Sequence, residues 1–303
     1  MRRNKVKGNF PIKQILKNRN AYIFISPFFI LYGLFGLYPT FFALFMSLSR
    51  YSPSKGFQRF VGFGNYINII KDPLFWTSFK NTLWFIVLNV PVQIFFALCL
   101  AALFNVPKIR GRKIFQLAFL LPYVTSSVAY SIVFKVLFDS RIGLFNGVLN
   151  KLGLPSIPWI TDPNWTKITV SIIVIWAWVG YDMLIMLGGL QNIDPELYEA
   201  ARIDGASGIQ SYFHITIPLM RPVIYFVTTT STIGTFNMFN EPFILFGYTG
   251  GVSNAALTMN MYLYSQSFQS FQLSIGAAMS FIIFLFIMIF SMPQVSSTFK
   301  SNL

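Results

Sequence analysis

The sequence predicts an all-α, polytopic membrane protein with six transmembrane helices, from its composition and from its long uncharged runs. Of its 303 residues, 54% are hydrophobic and only 11% are charged, which is far more apolar than a soluble domain. A helix needs about 20 mostly apolar residues to cross the bilayer core. Runs of this kind predict spans at residues 20–49, 81–107, 114–134, 168–190, 222–240 and 271–292.

The distribution of the basic residues indicates the orientation of a membrane protein and does not indicate a nucleic-acid-binding surface. The net charge is +14, and fourteen of the 23 Lys and Arg residues lie before Asn20, in 108–113, in 191–221 or at Lys300. Basic residues favour the cytoplasmic side of a membrane, so both termini are predicted to be cytoplasmic. The first outer loop weakens this signal with five basic residues, which are Arg50, Lys55, Arg59, Lys71 and Lys80.

This topology divides the chain into five regions. A basic cytoplasmic segment, residues 1–20, is predicted to contact lipid headgroups, and residues 21–49 form the first transmembrane helix. Residues 50–76 are then extracytoplasmic. A five-helix core at 77–292 is followed by a cytoplasmic tail at 293–303.

Signals for cofactor or catalytic chemistry are absent from the sequence. It has no phosphate-binding loop of the form G-x-x-x-x-G-K-[ST]. His214 is the only histidine, so zinc sites and catalytic triads that need histidine lack partners. Cys99 is the only cysteine, so the chain cannot form an internal disulfide. The chain is therefore predicted to bind no cofactor or metal and not to be an enzyme.

Local signals predict several features around the spans. Pro27 and Pro39 are expected to kink the first helix, a change that neighbouring helices can tolerate. Asp72 and the residues up to Trp76 predict a capped turn that leads into the second span. The apolar stripe at 142–152 predicts a short external helix. Residues 247–270 are rich in Gly, Ser, Asn and Gln, and the outer segment from Asn240 to Asn254 is predicted to be rich in turns.

The most polar stretch between two apolar ones is loop 194–218, and it predicts two short helices with a sharp turn. Asp194 has the position of an N-cap, and Gly205 permits the backbone conformation that ends a helix. Ser207 and Gln210 have capping-box spacing and restart a helix. The pattern fits an ordinary surface hairpin and a docking element for a partner equally well.

Polar and aromatic side chains at membrane depth predict a polar interior between the helices. Asp182 lies ten residues before Asn192, or about 15 Å of helix, which places it near the bilayer midplane. An acid there is costly and is a candidate functional residue. Interhelical hydrogen bonding is the alternative for every such side chain. The candidates for a solute route are Asp182, Trp178, Tyr123, Gln93, Asn237 and Asn240.

Loop 194–218 carries a family resemblance. Its pattern E-A-A-x3-G-x9-I-x2-P, from Glu199 to Pro218, resembles the cytoplasmic loop of permease subunits of binding-protein-dependent ABC importers. The strings YEAARIDGAS at 198–207 and ITIPLMRP at 215–222 resemble the carbohydrate-uptake branch, the maltose-type permeases. Segments that agree in order along the rest of the chain include SPFFILYGLFGLYPTFFALFMSLSRY, FVGFGNY, DPLFWTSFKNTLWF, TGG and MYLYSQSF.

The resemblance implies the type I importer permease fold in a bacterial plasma membrane. It also implies a second homologous permease, two cytoplasmic ATPase subunits that hold ATP and Mg, and an extracytoplasmic solute-binding protein. The matched loop would be a coupling helix seated on an ATPase, in which Glu199 makes a polar contact, alanines allow close seating and Gly205 supplies the turn. The residues expected to couple to the ATPase are Glu199, Ala200, Ala201, Asp204, Gly205 and Ala206.

One departure from the family concerns the last outer loop. Many relatives of this branch have a Gly-Gly-Gly-Pro run there, where this chain has Gly250, Gly251, Val252 and Ser253. The departure leaves the family resemblance intact. It places in doubt any transfer of solute or binding-protein contacts from that loop.

The leading functional interpretation is a permease subunit for uptake of a sugar or oligosaccharide by alternating access coupled to ATP hydrolysis. Sugars present apolar ring faces, against which aromatic side chains can stack, and hydroxyl groups, which can hydrogen-bond to amide and carboxylate groups. An importer for another solute, such as an acidic sugar polymer fragment or a phosphodiester, is the alternative. A further alternative is a secondary transporter that needs no ATPase, or a membrane enzyme.

Overall fold

The structure, a computed structural model, describes residues 19–106 and 110–300. Most of the predicted basic segment 1–20, residues 107–109 and the last three residues of the predicted tail lie outside the described residues. Fourteen α-helices and a two-stranded hairpin make up the described part. The elements are α1 Arg19–Tyr32, α2 Tyr38–Ser47, β1 Ser49–Ser52, β2 Gly56–Phe60, α3 Gly64–Lys71, α4 Pro73–Asn105, α5 Arg112–Val124, α6 Ser127–Leu137, α7 Leu144–Lys151, α8 Pro163–Gln191, α9 Pro195–Ile203, α10 Gly208–Ser211, α11 Ile217–Phe236, α12 Asn240–Phe246, α13 Met259–Tyr264 and α14 Leu273–Lys300.

The predicted all-α fold is confirmed, and the number of spans is compatible with six. Four helices are long and apolar enough to cross a membrane, and a bent helix pair brings the number to five. The predicted fifth span corresponds to α11, which has 20 residues but is not among these. Its run of threonines from Thr228 to Thr230 and at Thr232 makes it more polar than the others.

The first span is one continuous helical rod with a change of helix type inside it. Residues Gly33–Leu37 are π-helical and join α1 to α2. Pro39 follows directly, and since proline has no N–H it cannot complete the usual helical hydrogen bond four residues back. Its second part, α2, packs on α14, but Ser47 is the only residue of the stretch Tyr22–Ser47 that is buried. Its surface is therefore available to lipid or to a partner.

The third predicted span, at 114–134, is not one straight helix in the structure. The chain forms α5 and α6, which meet at a bend of 96°. Pro122 removes one backbone donor in the last turn of α5, and Thr125 then adopts an extended conformation with ψ of 145°. The bend directs α6 across the end of the bundle instead of along it.

Helix α8 forms the centre of the molecule and packs against α4, α5 and α11. Its Met183 and Met186 are fully buried, together with Ala97 and Ala101 of α4 and Met220 of α11. Small residues let backbones approach closely in membrane helices. A Cβ at Gly180 of α8 would overlap the backbone carbonyl of Phe119 in α5.

The hairpin was not predicted, but the elements beside it agree with the sequence. Strands β1 and β2 pair antiparallel and turn at Gly56, whose φ is 64°. Helix α4 begins as predicted, because Asp72 accepts a hydrogen bond from the Leu74 backbone N–H at 2.8 Å. Helix α7 corresponds to the predicted external helix, and its Phe145 packs on Phe138 with ring centroids 4.5 Å apart.

The predicted turn-rich patch is present, because residues 247–258 form 3₁₀ and turn segments, and part of the segment 247–270 is packed into the bundle. Ala256, Thr258 and Met259 are fully buried. The Asn81 side chain of α4 donates to the carbonyl oxygens of Asn254 and Leu257, at 2.8 and 3.1 Å. These hydrogen bonds satisfy backbone groups that the irregular segment leaves free, which is what allows it to be buried.

The close approach of α5 to α8 predicts the effect of Gly180→Ala. The added methyl group requires one backbone to move, and overpacking of this kind costs about 1–3 kcal/mol. We expect a lower midpoint of thermal unfolding for the purified chain in detergent. Gly188→Ala on the same helix is the control, since no atom lies within 4 Å of its Cβ position. Equal midpoints for the two variants would contradict this packing.

Candidate functional site

Loop 194–218 has the predicted two-helix form, and its caps are in place. Asp194 accepts a hydrogen bond from the Glu196 backbone N–H at 3.0 Å and begins α9. Gly205 ends it with φ of 78°. The Ser207 hydroxyl and the Gln210 amide then form both hydrogen bonds of a capping box. The predicted turn and restart are confirmed.

The six residues expected to couple to an ATPase lie together on one small surface. Glu199, Ala200, Asp204 and Gly205 are exposed, and Ala201 and Ala206 are half-buried. The loop also exposes apolar side chains that the sequence analysis did not single out, with exposed fractions of 87% for Ile203, 74% for Ile209 and 62% for Phe213. The sequence signal for this apolar surface is the four-residue spacing of Ile209 and Phe213, which places both side chains on one face of a helix.

The loop is fastened to the membrane helices at its inner side. The Tyr198 hydroxyl of α9 shares a hydrogen bond of 2.8 Å with Thr216. A cavity of about 390 Å³ lies beside this contact, between the loop and the end of α4, and Tyr212 is among its lining residues. Burial raises the pKa of Tyr212, with smaller contributions from Cys99 and Tyr198, so its hydroxyl stays a neutral donor.

A continuous helix connects the loop to the bundle. Helix α10, the π-helical turn Tyr212–Thr216 and α11 follow one another without a break from Gly208 to Phe236. Loop 194–218 and the predicted fifth span are therefore joined by one helix, which ends at Phe236 rather than at 240. No non-helical residue lies between the second helix of the loop and α11, so the loop and this helix are directly linked.

A second cavity, of about 510 Å³, lies among the spans and is called the central cavity here. Helices α4, α5, α6, α8, α11 and α12 contribute to its lining. Five of the six residues named as candidates for a solute route line it, and they are Gln93, Tyr123, Trp178, Asn237 and Asn240. They come from distant parts of the sequence, and the fold brings them together.

Aromatic rings form one wall of the central cavity. Tyr123 stacks on Tyr181 with ring centroids 4.3 Å apart, and meets Trp178 edge to face at 5.2 Å. Tyr123 is 39% exposed, and both Tyr123 and Trp178 line the cavity. The bend after α5 brings Tyr123 to this position, near the end of that helix.

Asp182 does not line the central cavity but lies directly behind it. Its side chain is 1% exposed, and its Oδ2 accepts hydrogen bonds from Gln93 Nε2 and from Ser231 Oγ, the latter at 3.2 Å. The donors belong to α4 and α11 and both line the cavity. The structure thus combines the two readings of this acid, since it joins helices and also orients groups at the cavity surface.

The end of the central cavity at α6 and α12 contains a buried pair that was not predicted from the sequence. The Tyr130 hydroxyl of α6 donates to the Glu241 carboxylate of α12, and both residues line the cavity. Asn240 Nδ2 donates to Ser127 Oγ at 2.8 Å, and Lys135 Nζ donates to the Ile244 carbonyl at 3.1 Å. The sequence signal for this pair is an acidic residue, Glu241, directly after the predicted fifth span.

A metal site has no candidate residues in the part of the chain that the structure describes. No group of three or more His, Cys, Asp and Glu side chains there could hold a metal ion. The Asn237 amide turns back to the Ile233 carbonyl, 3.0 Å away. What the central cavity offers is a set of amides and hydroxyls and one carboxylate beside aromatic rings.

Known proteins resemble this chain over most of its length. The lactose transport system permease protein of Rhizobium radiobacter is 40% identical over 278 residues, covering 91% of this chain and 92% of that protein. The arabinooligosaccharides transport system permease protein of Halalkalibacterium halodurans is 37% identical, covering 91% and 87%. A crystal structure of a bacterial ABC transporter for import of the acidic polysaccharide alginate has the same fold, with a TM-score of 0.83 at 23% identity over 95% of this chain and 98% of that one.

A protein-family match agrees with these relatives. The family described as the binding-protein-dependent transport system inner membrane component matches residues 93–297, a range that holds both loop 194–218 and the central cavity. The relatives are named as transport permeases, so the prediction of a transport subunit rather than an enzyme is confirmed. The chain belongs to the family of inner membrane components of binding-protein-dependent transport systems.

Proposed function

We propose that this chain is the permease subunit of an ATP-driven importer for an uncharged sugar or oligosaccharide. The observation that carries the proposal is the lining of the central cavity. A sugar presents apolar ring faces and hydroxyl edges, and the cavity offers aromatic rings at Tyr123 and Trp178 and polar groups at Gln93 and Asn240. The names of the lactose and arabinooligosaccharide relatives support the same class of solute.

The charges around the central cavity favour a neutral solute over an acidic one. Its described lining contains Glu241 and no lysine or arginine, and the Asp182 carboxyl lies one layer behind. An anionic sugar fragment or phosphodiester would meet like charge there without a cation to balance it. The likeness to an alginate importer is below 25% identity and supports the fold alone.

The transporter that this function requires has further subunits. We infer that a second homologous permease closes the other side of the central cavity and that an extracytoplasmic binding protein delivers the sugar. Two cytoplasmic ATPase subunits would bind ATP and Mg and receive loop 194–218. With both termini in the cytoplasm, the loop lies on the cytoplasmic side and the Tyr130 and Glu241 pair lies towards the outside.

Coupling rests on the exposed face of loop 194–218. Glu199 and Asp204 offer carboxylates, and Ala200 beside Gly205 leaves room for close contact. The exposed Ile203 and Phe213 add apolar area of the kind that transport subunits bury at an interface. Movement of an ATPase pair would reach α11 through α10, and the central cavity would open alternately to each side.

Replacement of Trp178 tests the proposed solute and its site. Trp178→Ala removes a ring that lines the central cavity, and loss of such a contact, about 1.4 kcal/mol, corresponds to a tenfold change. We expect about tenfold slower uptake at low sugar concentration by the assembled transporter with its binding protein in proteoliposomes. Trp165→Ala, on the same helix but outside the cavity, is the control. Uptake that is equal in the two variants would remove Trp178 from the solute route.

Replacement of Gly205 tests the proposed coupling separately. Its φ of 78° is strained for any residue with a side chain and most of all for a β-branched one. We expect Gly205→Val to insert normally into the membrane but to import several-fold less sugar per ATP hydrolysed. The control is Gly208→Val, because Gly208 has an ordinary helical backbone and open space around its Cβ position. Normal coupling in Gly205→Val would disprove the assignment of the turn.

A further inference from the structure

A third cavity, of about 610 Å³, lies at the far end of the bundle from loop 194–218 and is called the hairpin cavity here. Strands β1 and β2, helix α3 and the start of α14 enclose it. Its lining is mostly polar and includes two arginines, two asparagines and two glutamines. The polar lining residues are Arg50, Ser52, Gln58, Arg59, Asn65, Asn68, Gln272 and Ser274.

The two arginines of the hairpin cavity are direct neighbours across the hairpin. Arg50 of β1 pairs with Arg59 of β2 in the strand register, so both side chains lie on one face, and both line the cavity. Like charges directly opposite each other destabilise a strand pair. The cavity is lined by no acidic side chain that could offset this repulsion. Both arginines are exposed, so water and salt weaken this repulsion, and an anion that reaches the cavity would remove what remains of it.

No acid of this chain supplies that anion. All nine Asp and Glu residues lie in the described ranges, and those between the spans at this end are engaged elsewhere. Asp72 accepts from Leu74 and Tyr262, and Glu241 accepts from Tyr130. Asp139 and Asp162 accept backbone hydrogen bonds of the residues that follow them. Asp182 lies behind the central cavity, and the other four belong to loop 194–218.

The hairpin cavity has a fixed shape. Asn65 Nδ2 donates to the carbonyl oxygens of Ser47 and Ser49, at 2.8 and 2.9 Å, which holds α3 against the hairpin. The Tyr51 backbone N–H donates to Ser274 Oγ at 2.8 Å and holds the hairpin against α14. Phe271, at the rim, has φ of 54°, a strained conformation for an aromatic residue. Strain of this kind is found where a surrounding site determines the backbone.

The hairpin cavity lies next to the end of the first span, which is the level of the lipid headgroups. Arg50 is three residues beyond Ser47, where the first span ends. The surrounding aromatic side chains are exposed, with exposed fractions of 52% for Phe57, 63% for Phe60 and 71% for Phe63. Tyrosine and tryptophan are the aromatic residues enriched at the level of the headgroups, and Tyr51 lines the hairpin cavity.

We propose that the hairpin cavity binds a phosphate group of net negative charge, carried by an anionic phospholipid. The planar guanidinium groups of Arg50 and Arg59 match phosphate oxygens in pairs of hydrogen bonds. The lipid removes the repulsion between the two arginines and ties the hairpin to the membrane surface beside the first span. With the orientation proposed above, the lipid belongs to the outer leaflet. The proposal does not depend on which solute the protein transports.

Binding of lipid by the purified full-length chain in detergent tests this site. The probes are short-chain phosphatidylglycerol, phosphatidylcholine as the zwitterionic comparison and glycerol phosphate as a soluble phosphate, followed by native mass spectrometry. We expect phosphatidylglycerol to bind at least tenfold more tightly than phosphatidylcholine. In the Arg50→Gln, Arg59→Gln double variant this preference is expected to fall about tenfold. The Arg50→Lys, Arg59→Lys double variant keeps the positive charge but lacks the paired N–H donors of the guanidinium groups. It is expected to bind phosphatidylglycerol with intermediate affinity.

The matched control is Lys55→Gln with Lys71→Gln, which removes the same charge from exposed residues outside the hairpin cavity. It is expected to bind as the unaltered chain does. Binding of glycerol phosphate alone, lost in the arginine variant, would support the phosphate chemistry and identify a soluble source. An equal loss in both glutamine variants, or no loss in either, would overturn the proposal. Unchanged lipid binding by the arginine variant, together with lost stimulation of the assembled transporter by its binding protein, would also overturn it and would make the arginines a protein-docking surface.

Discussion

The structure depends on one buried carboxylate. Asp182 lies near the middle of the central helix α8, where no water is available to satisfy a polar group. Gln93 of α4 and Ser231 of α11 both donate to it, so one side chain fixes the relative rotation of three helices. Removal of either donor would leave a buried acceptor with fewer partners, and this is far more costly than the loss of an exposed hydrogen bond.

The same carboxylate determines what the central cavity presents. Since Gln93 donates its amide N–H groups to Asp182 and to Ser231, the latter at 3.4 Å, its carbonyl oxygen is the group left to accept a hydrogen bond. The aromatic wall at Tyr123 and Trp178 is placed by a different feature, the bend between α5 and α6. The cavity is therefore the joint product of a hydrogen-bond network and a broken helix.

Local chemistry made part of this architecture predictable from the sequence. The caps and turn of loop 194–218 depend on residues within a few positions of one another, and Asp194, Gly205 and Ser207 act as their types suggest. The bend after Val124 was missed, because a proline near a helix end is compatible with a continuous membrane helix as well as with a break. The pairing of Arg50 with Arg59 needs the register of a hairpin that hydropathy does not detect.

The distance between the two functional regions is bridged by a single element. Thr216, which contacts Tyr198 of the loop, and Ser231, which contacts Asp182, lie on the same uninterrupted helix, fifteen residues or roughly 22 Å apart. If this helix moves as a unit, a shift at Thr216 would change the position of Ser231 against the carboxylate. Because that carboxylate also holds Gln93, such a movement would alter the polar lining of the central cavity. In the proposed transport cycle, one helix with a polar contact at each end would then be enough to link the loop to the central cavity.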